Sequence, residues 1–178
     1  MKRLSIIFAI TFAAMFVLPG CKKFVEGYEV SPNDPLKVSI PTLMASAQGS
    51  IFWTYNGDMA RILSMWLQSQ DGIDRQYAGY GIYRFTESDV DNLWKSLYHE
   101  GMMDMAQLDR QARQEGQNSL YFVEGYIGIN NVLRAMMMAQ ITDLFNRVPM
   151  SQAFQGESNL SPGYDSQDQV YQQAHALL

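Results

Sequence analysis

Apolar residues recur along most of this chain at intervals of three and four positions, which places them on one face of an α-helix. A first helix is predicted after Ser39, a residue type that caps helix N-termini. A second is predicted from Asn56 or Asp58 and stops near Asp71 and Gly72. A short turn between them makes a helix hairpin. Its apolar positions are Leu43, Ala47, Ile51, Ile62, Trp66 and Leu67.

A longer helix is predicted from Ser88, which forms a capping arrangement with Asp91, to Gly116, a typical helix stop. Its apolar stripe comprises Val90, Leu93, Trp94, Leu97, Tyr98, Met105, Leu108 and Ala112. The next helix is predicted to start at the potential cap Asn118. We expect it to have neighbours on both sides, because it is apolar on two faces. These faces comprise Phe122, Tyr126, Ile129, Leu133 and Leu144, and the small residues Gly125, Gly128, Val132, Ala135 and Ala139.

Residues 146–164 contain two prolines and two glycines and predict a loop, after which Asp165 or Ser166 restarts a helix. The apolar face of this last helix, formed by Val170, Ala174 and Leu177, is expected to lack a partner within the chain. No segment shows sustained strand alternation. The predicted fold class is therefore all-α, with tetratricopeptide-like stacked helix hairpins over residues 39–178. We expect these to form the N-terminal part of a larger fold.

The first 20 residues have the order of a secretory signal peptide, with two basic residues, an uncharged apolar run and then a proline and a glycine. Leu18-Pro19-Gly20-Cys21 resembles the lipobox of bacterial lipoproteins, whose cysteine is acylated after cleavage. We predict cleavage after residue 20 and lipid on Cys21. The alternatives are an ordinary signal peptide with a coincidental cysteine, a cysteine buried in a core, and a permanent membrane span, for which the apolar run is short.

Residues 22–38 show no sustained hydrophobic period and contain the turn-forming segment Ser31-Pro32-Asn33-Asp34-Pro35. Together with the lipidated cysteine they form a predicted tether over residues 21–38. In an extended polyproline conformation of about 3.1 Å per residue, the tether would reach roughly 50 Å from the membrane.

The charge balance limits the partners that the protein can bind. The formal net charge is −5, and it becomes −7 when Lys2 and Arg3 leave with the signal peptide, because 11 basic and 18 acidic residues remain. An acidic protein is poorly suited to nucleic acid and to anionic lipid. We therefore expect no nucleic-acid partner and membrane attachment through the lipid anchor.

The residue pattern contains no recognisable catalytic or cofactor motif. The glycine patterns of phosphate and dinucleotide sites and the nucleophile motif G-x-S-x-G are absent, and His99 and His175 lack the neighbouring ligands of a zinc site. Carboxylate pairs such as Asp89 and Asp91 give only weak support for glycosidase chemistry. We predict a protein that is not an enzyme and has no cofactor, metal site or catalytic residue.

One non-periodic stretch, residues 71–85, combines aromatic rings with side chains that form paired hydrogen bonds. Sugars are bound by stacking on aromatic faces while charged and amide groups pair with their hydroxyls, so this composition favours a glycan. The alternative is that the tyrosines pack the loop against the helices. The candidate ligand-binding residues are Asp71, Arg75, Tyr77, Tyr80 and Tyr83.

Several segments resemble the SusD/RagB family of Bacteroidetes outer-membrane lipoproteins. Residues 142–153, T-D-L-F-N-R-V-P-M-S-Q-A, are similar to the family's helix end and turn, with Asn146 where glycine is usual. Residues 164–171, Y-D-S-Q-D-Q-V-Y, resemble the opening of its next helix. Trp94-x-x-x-Tyr98 resembles the W-x-x-x-Y of its early long helix, and Ser31-Pro32-Asn33 resembles the P-N that follows its lipidated tether.

This resemblance implies a surface-exposed, lipid-anchored protein of the outer membrane that binds a polysaccharide, oligosaccharide or other nutrient. It also implies a partner, a SusC-like TonB-dependent β-barrel transporter that takes up the nutrient. A lipid-anchored helical scaffold that binds no small ligand is the alternative from another class, and an exported helical glycosidase is the third.

Overall fold

The computed structural model describes residues 38–178, apart from the side chain of Gln117. The predicted signal peptide, Cys21 and nearly all of the tether lie outside these residues. Residues Ser39–Leu178 form one compact unit. Its regular structure is helical, and the described residues contain a single isolated β-bridge in place of a sheet. The predicted all-α fold class is confirmed.

The first helix, α1 (Ile40–Thr54), begins where the sequence predicts, because the Ser39 side chain accepts a hydrogen bond from the Thr42 amide. The predicted break after it is present at Gly57, whose φ of −95° and ψ of −113° are not helical. Around this kink the chain passes through a π-helical segment (Tyr55–Met59) into α2 (Ala60–Trp66). The two predicted caps do not cap α2, since the side-chain amide of Asn56 donates to the Phe52 carbonyl and Asp58 pairs with Arg61.

The predicted long helix is present in three consecutive parts, α4 (Asp91–Lys95), a π-helical segment (Ser96–Met102) and α5 (Met103–Glu115). The short α3 (Tyr77–Tyr80) and a 3₁₀ turn (Glu87–Asp89) precede it. Its cap differs from the predicted Ser88 and Asp91, because Thr86 and Asp89 form the capping box two residues earlier. Gly116 ends the helix as predicted, with a φ of 49° that glycine adopts without a steric penalty.

The longest helix, α6 (Val123–Phe145), starts five residues after the predicted cap Asn118, which instead closes a 3₁₀ turn (Gly116–Asn118). It packs against α5 on one side and α7 (Gln167–Leu177) on the other, as its two apolar faces predict. The burial is concentrated in its C-terminal half. The N-terminal half leaves Ile129 half exposed and Phe122, the residue just before the helix, 74% exposed.

Ser166, one of the two predicted starts, caps the last helix, α7, and forms a capping box with Gln169. The expectation that its apolar face lacks a partner is wrong. Val170 and Ala174 are buried in the core and Leu177 packs against it, because α6 lies alongside α7. The core shared by these helices includes Ala47, Leu97, Met102, Met105, Met137, Met138, Ile141 and Val148.

Residues that carry the family resemblance lie together with the neighbouring Phe154 in what we call the signature cluster: Trp94, Tyr98, Phe145, Pro149, Phe154 and Asp165. Trp94 stacks on Tyr98, with ring centroids 4.4 Å apart, and meets the edge of Phe145 at 5.0 Å. Tyr98 also stacks on Phe154 and donates its hydroxyl to the Pro149 carbonyl at 3.1 Å. Burial is the main reason why the pKa of Tyr98 is raised above its usual value.

Asp165 joins the turn after α6 to the start of α7. Its backbone pairs with Val148 in the isolated β-bridge, and its carboxylate accepts from the Met150 amide at 3.0 Å and from the Ser151 amide and hydroxyl. Burial raises the pKa of Asp165, but these hydrogen bonds outweigh it and hold the pKa below its usual value. The carboxylate therefore caps the turn in its charged form.

Asn146, at the end of α6, adopts a φ of 62°. Its ψ is −88°, which lies outside the left-handed helical region, and its amide donates to the Thr142 carbonyl at 2.7 Å. Glycine adopts a positive φ without a steric penalty, whereas asparagine does not. The chain therefore holds asparagine on strained backbone where the family pattern has glycine.

Candidate functional site

The stretch singled out in the sequence lies in the segment between α2 and the 3₁₀ turn, which we call the candidate loop (residues 67–86). Two helix terminations with the same hydrogen bonds bracket it. At the end of α2, the Ser69 amide donates to the Ser64 carbonyl and the Gln68 amide to the Met65 carbonyl. At the end of α3, the Arg84 amide donates to the Gly79 carbonyl and the Tyr83 amide to the Tyr80 carbonyl. Both are Schellman motifs, in which the residue of positive φ is usually glycine.

In both motifs that position is occupied by a residue with a side chain. Gln68 has a φ of 56° and Tyr83 a φ of 57°, and Arg75 between them has a φ of 52°. An L-residue in this region costs about 1–2 kcal/mol relative to a right-handed helical conformation. The Schellman motifs account for Gln68 and Tyr83, so Arg75 is the strained residue that they do not require. Backbone strain of this kind clusters at ligand-binding sites.

Tyr80 anchors the candidate loop to the core. Its side chain is buried, meets Tyr77 and Phe85 edge to face, and donates its hydroxyl to Asp89 Oδ1 at 2.9 Å. Burial, and then the hydrogen bond to the Asp89 carboxylate, raise the pKa of Tyr80 to about 12. For this residue, the arrangement matches the alternative in which a tyrosine packs the loop.

Tyr77 is half-buried, and the guanidinium of Arg61 lies over its ring at 5.1 Å from the centroid. In this cation–π contact the guanidinium covers part of one face of the Tyr77 ring. Arg61 is itself held by Asp58 in the π-helical segment. Tyr77 therefore has less surface to offer a ligand than its place in the sequence suggests.

Tyr83 is the candidate ring that faces solvent. Its side chain is 63% exposed, and its hydroxyl donates to the Trp66 carbonyl at 3.0 Å, which fixes the ring against the end of α2. A ring that is held at one end and exposed over most of its surface is suited to stacking on an apolar ligand face.

Asp71 and Arg75, the two charged candidates, are exposed. Asp71 lies beside Gly81, and Arg75 has Asp74 near its guanidinium, at 3.8 Å. Gly72 is needed here because a Cβ on it would overlap the backbone of Tyr77. The charged groups of both candidates are thus accessible, and glycine allows the loop to close tightly between them.

A cavity of about 290 Å³ lies along residues 75–89 and brings in polar groups that the sequence does not single out as ligand-binding. Arg75 is the predicted residue on its wall, and Gln76, Arg84 and Asp89 are the additions. The hydroxyl and amide of Thr86, and then the hydroxyl of Tyr80, lower the pKa of Asp89. The signal that could have located this wall is the Thr86–Asp89 capping box, which turns both residues back toward the loop.

Within residues 38–178, no three His, Cys, Asp or Glu side chains are grouped closely enough to hold a metal ion. None of the helices in that part of the chain combines the length and the apolar character needed to cross a bilayer.

The fold and the loop define an all-helical protein with an exposed aromatic and charged loop on a packed scaffold. The family model described as "Starch-binding associating with outer membrane" matches residues 32–178, and the chain belongs to this SusD-like family. The predicted family resemblance is therefore confirmed. Among curated proteins, none matches the chain.

Proposed function

We propose that this chain is a glycan-binding lipoprotein of the cell surface that works with a TonB-dependent β-barrel transporter in nutrient uptake. The main support is the family match, whose description names starch binding and association with the outer membrane. Binding without catalysis agrees with this family.

The ligand site that we propose is centred on the exposed ring of Tyr83. Asp71 and Arg75 supply accessible charged groups for sugar hydroxyls, and Tyr77 contributes the edge of a second ring. Arg84 lies with Arg75 on the wall of the cavity along residues 75–89 and adds a second guanidinium there. Tyr80 is assigned a supporting role, because its ring is buried and its hydroxyl is bonded to Asp89.

Affinity electrophoresis of the protein against a panel of polysaccharides tests the binding proposal. We expect at least one polysaccharide to retard the protein, and a Tyr83→Ala and Arg75→Ala double variant to migrate without retardation. A Leu160→Ala variant, which removes a side chain that is 82% exposed in another loop, serves as the matched control. Hydrolysis of the retarding polysaccharide would contradict the binding-only function.

We also propose that a signal peptide over residues 1–20 is removed, that Cys21 carries lipid and that residues 21–38 tether the helical domain. Several acyl chains give stable attachment, whereas one chain gives only marginal attachment. Mass spectrometry of the mature N-terminus is expected to show an acylated cysteine, and a Cys21→Ser variant is expected to leave the membrane fraction. A mature protein with an unmodified Cys21 contradicts the anchor.

The transporter partner is tested by purifying the tagged protein from detergent-solubilised outer membranes. We expect a TonB-dependent β-barrel to copurify with it, and a large β-barrel to be encoded by a neighbouring reading frame. Membrane attachment with no retardation by any polysaccharide is the result that the scaffold alternative predicts.

A further inference from the structure

The cavity of about 290 Å³ along residues 75–89 carries an excess of positive charge on its wall. Its charged residues are Arg75, Arg84 and Asp89, which supply two guanidinium groups and one carboxylate. This excess is local, because the chain as a whole has a formal net charge of −5. The charge of the cavity is thus opposite in sign to that of the protein.

The carboxylate on the wall is already occupied by hydrogen-bond donors of the fold. Asp89 Oδ1 accepts from the Tyr80 hydroxyl at 2.9 Å. Its Oδ2 accepts from the Thr86 amide at 2.8 Å and from the Thr86 hydroxyl at 2.6 Å. These three bonds use most of the roughly four acceptor positions of a carboxylate. Asp89 therefore has little capacity left for a ligand, and recognition depends on the two arginines.

Arg84 has a guanidinium that is free to bind a ligand. Its side chain is exposed and forms neither an ion pair nor a side-chain hydrogen bond with the described residues. Its amide donates to the Gly79 carbonyl, and its Cβ lies 3.6 Å from the position that a Cβ on Gly79 would take. The stem of Arg84 therefore runs beside Gly79, and its charged end remains available on the wall.

Arg75 presents the second guanidinium. Its side chain is 88% exposed, and its Nε lies 3.8 Å from an Asp74 carboxylate oxygen, which is too far for a hydrogen bond. Ion pairs between side chains as exposed as these contribute about 0–1 kcal/mol, so Asp74 competes only weakly with a ligand. Arg75 is also the residue whose positive φ the two Schellman motifs do not require.

Two guanidinium groups beside one saturated carboxylate are suited to an anionic ligand group. Guanidinium binds oxyanions through paired, charge-assisted hydrogen bonds, which are about twice as strong as bonds between neutral groups. The volume is sufficient for one sugar ring, since an apolar cavity of about 150 Å³ holds benzene. We propose that the candidate loop binds an acidic glycan, with the carboxylate or sulfate of one sugar held by Arg75 and Arg84. This inference rests on the proposed glycan-binding function and names the class of glycan.

Two matched pairs of polysaccharides test the proposal, because the members of each pair differ in charge. Polygalacturonate and its methyl ester differ in the carboxylate, and dextran sulfate and dextran differ in the sulfate. In calorimetric titrations of the whole protein, we expect at least one acidic member to bind about tenfold or more tightly than its neutral counterpart, as one charge-assisted hydrogen bond implies. This preference is expected to weaken as the salt concentration rises.

Charge-matched variants locate the contact. Arg75→Gln and Arg84→Gln each remove one guanidinium, and each is expected to weaken binding of the preferred acidic polysaccharide about tenfold. Arg147→Gln makes the same change in net charge at an exposed position after α6 and is expected to leave binding unchanged. Equal losses in all three variants would overturn the proposal.

The neutral polysaccharides separate this inference from the function on which it rests. Equal affinities within both pairs would overturn the preference for an acidic glycan. Binding of starch, with no preference for either acidic member, would also overturn it but would leave the proposed glycan-binding function standing. Absence of binding to every polysaccharide would contradict both.

Discussion

The signature cluster and the candidate loop contain similar residues, aromatic rings with a few charged groups, but use them in opposite ways. In the cluster, Tyr98 is stacked on two rings and bonded to a carbonyl, and Asp165 accepts hydrogen bonds from two amides and a hydroxyl. In the loop, Tyr83 is mostly exposed on strained backbone. The difference indicates that the cluster holds the fold together and that the loop is available for binding.

The largest expected contrast is between the two tyrosines. Tyr98→Ala removes a stacked ring and its hydrogen bond, so we expect a loss of about 3–5 kcal/mol in the free energy of unfolding. Tyr83→Ala removes an exposed ring and is expected to cost less than about 1 kcal/mol. Urea denaturation measures both. Similar losses for the two variants would remove the distinction between cluster and loop.

Gly72→Ala is expected to disturb the loop without disturbing the cluster. The added Cβ would overlap the Tyr77 backbone, and forcing such a contact typically costs about 1–3 kcal/mol. Gly128→Ala is the matched control, because its Cβ would enter open space on α6 and should stabilise that helix by about 0.5–1 kcal/mol. Denaturation curves and polysaccharide retardation are compared for both. A Gly72→Ala variant with unaltered stability and retardation is incompatible with the described loop.

Asp165→Asn tests the electrostatic part of the cluster. Loss of the charged acceptor is expected to cost about 2 kcal/mol at pH 7. Because the folded protein lowers the pKa of Asp165, its contribution is present above the unfolded pKa of about 3.9 and is lost as the pH falls through the lower folded value. The difference between the two proteins should therefore be constant above about pH 5 and shrink below about pH 4. A constant difference down to about pH 2 would contradict this assignment.

The smallest expected effect concerns the strained helix ends. Gln68→Gly and Asn146→Gly place glycine at positions with φ of 56° and 62°, and each is expected to stabilise the protein by about 1 kcal/mol or less. The matched comparison is Gln68→Ala, which shortens the side chain but keeps the Cβ and its steric cost. Urea denaturation ranks the three variants. If glycine is no better than alanine at position 68, the loop is not strained there.

The sequence predicts the helices well where the end signals are the usual ones. The helix ends are as predicted at Ser39 and Ser166, whose side chains accept hydrogen bonds from the first helix amides. The end at Gly116 is also as predicted, because glycine adopts the positive φ found there. The predicted end of α2, near Gly72, is too late, because the chain turns at Gln68, which carries no glycine signal. The π-helical segment around the kink at Gly57 is also not predictable, since such a segment has no residue signature.

The sequence predicts where the candidate site lies, but it does not predict which of its side chains are exposed. Composition directs attention to the loop, but burial separates Tyr80 from Tyr83, and the two residues look alike in sequence. The partner of Tyr80 is Asp89, which contacts it only because the Thr86 cap turns the chain back. Such pairings depend on tertiary packing.

The most direct test of glycan binding by the candidate loop is polysaccharide retardation of Tyr83→Gly beside Gln68→Gly. Both variants relieve the same backbone strain in equivalent Schellman motifs, and only the first removes a ring. We predict that Gln68→Gly is retarded as strongly as the unsubstituted protein and that Tyr83→Gly is not, although it remains folded. Retardation of a folded Tyr83→Gly at the original strength would contradict the claim that the candidate loop binds the glycan.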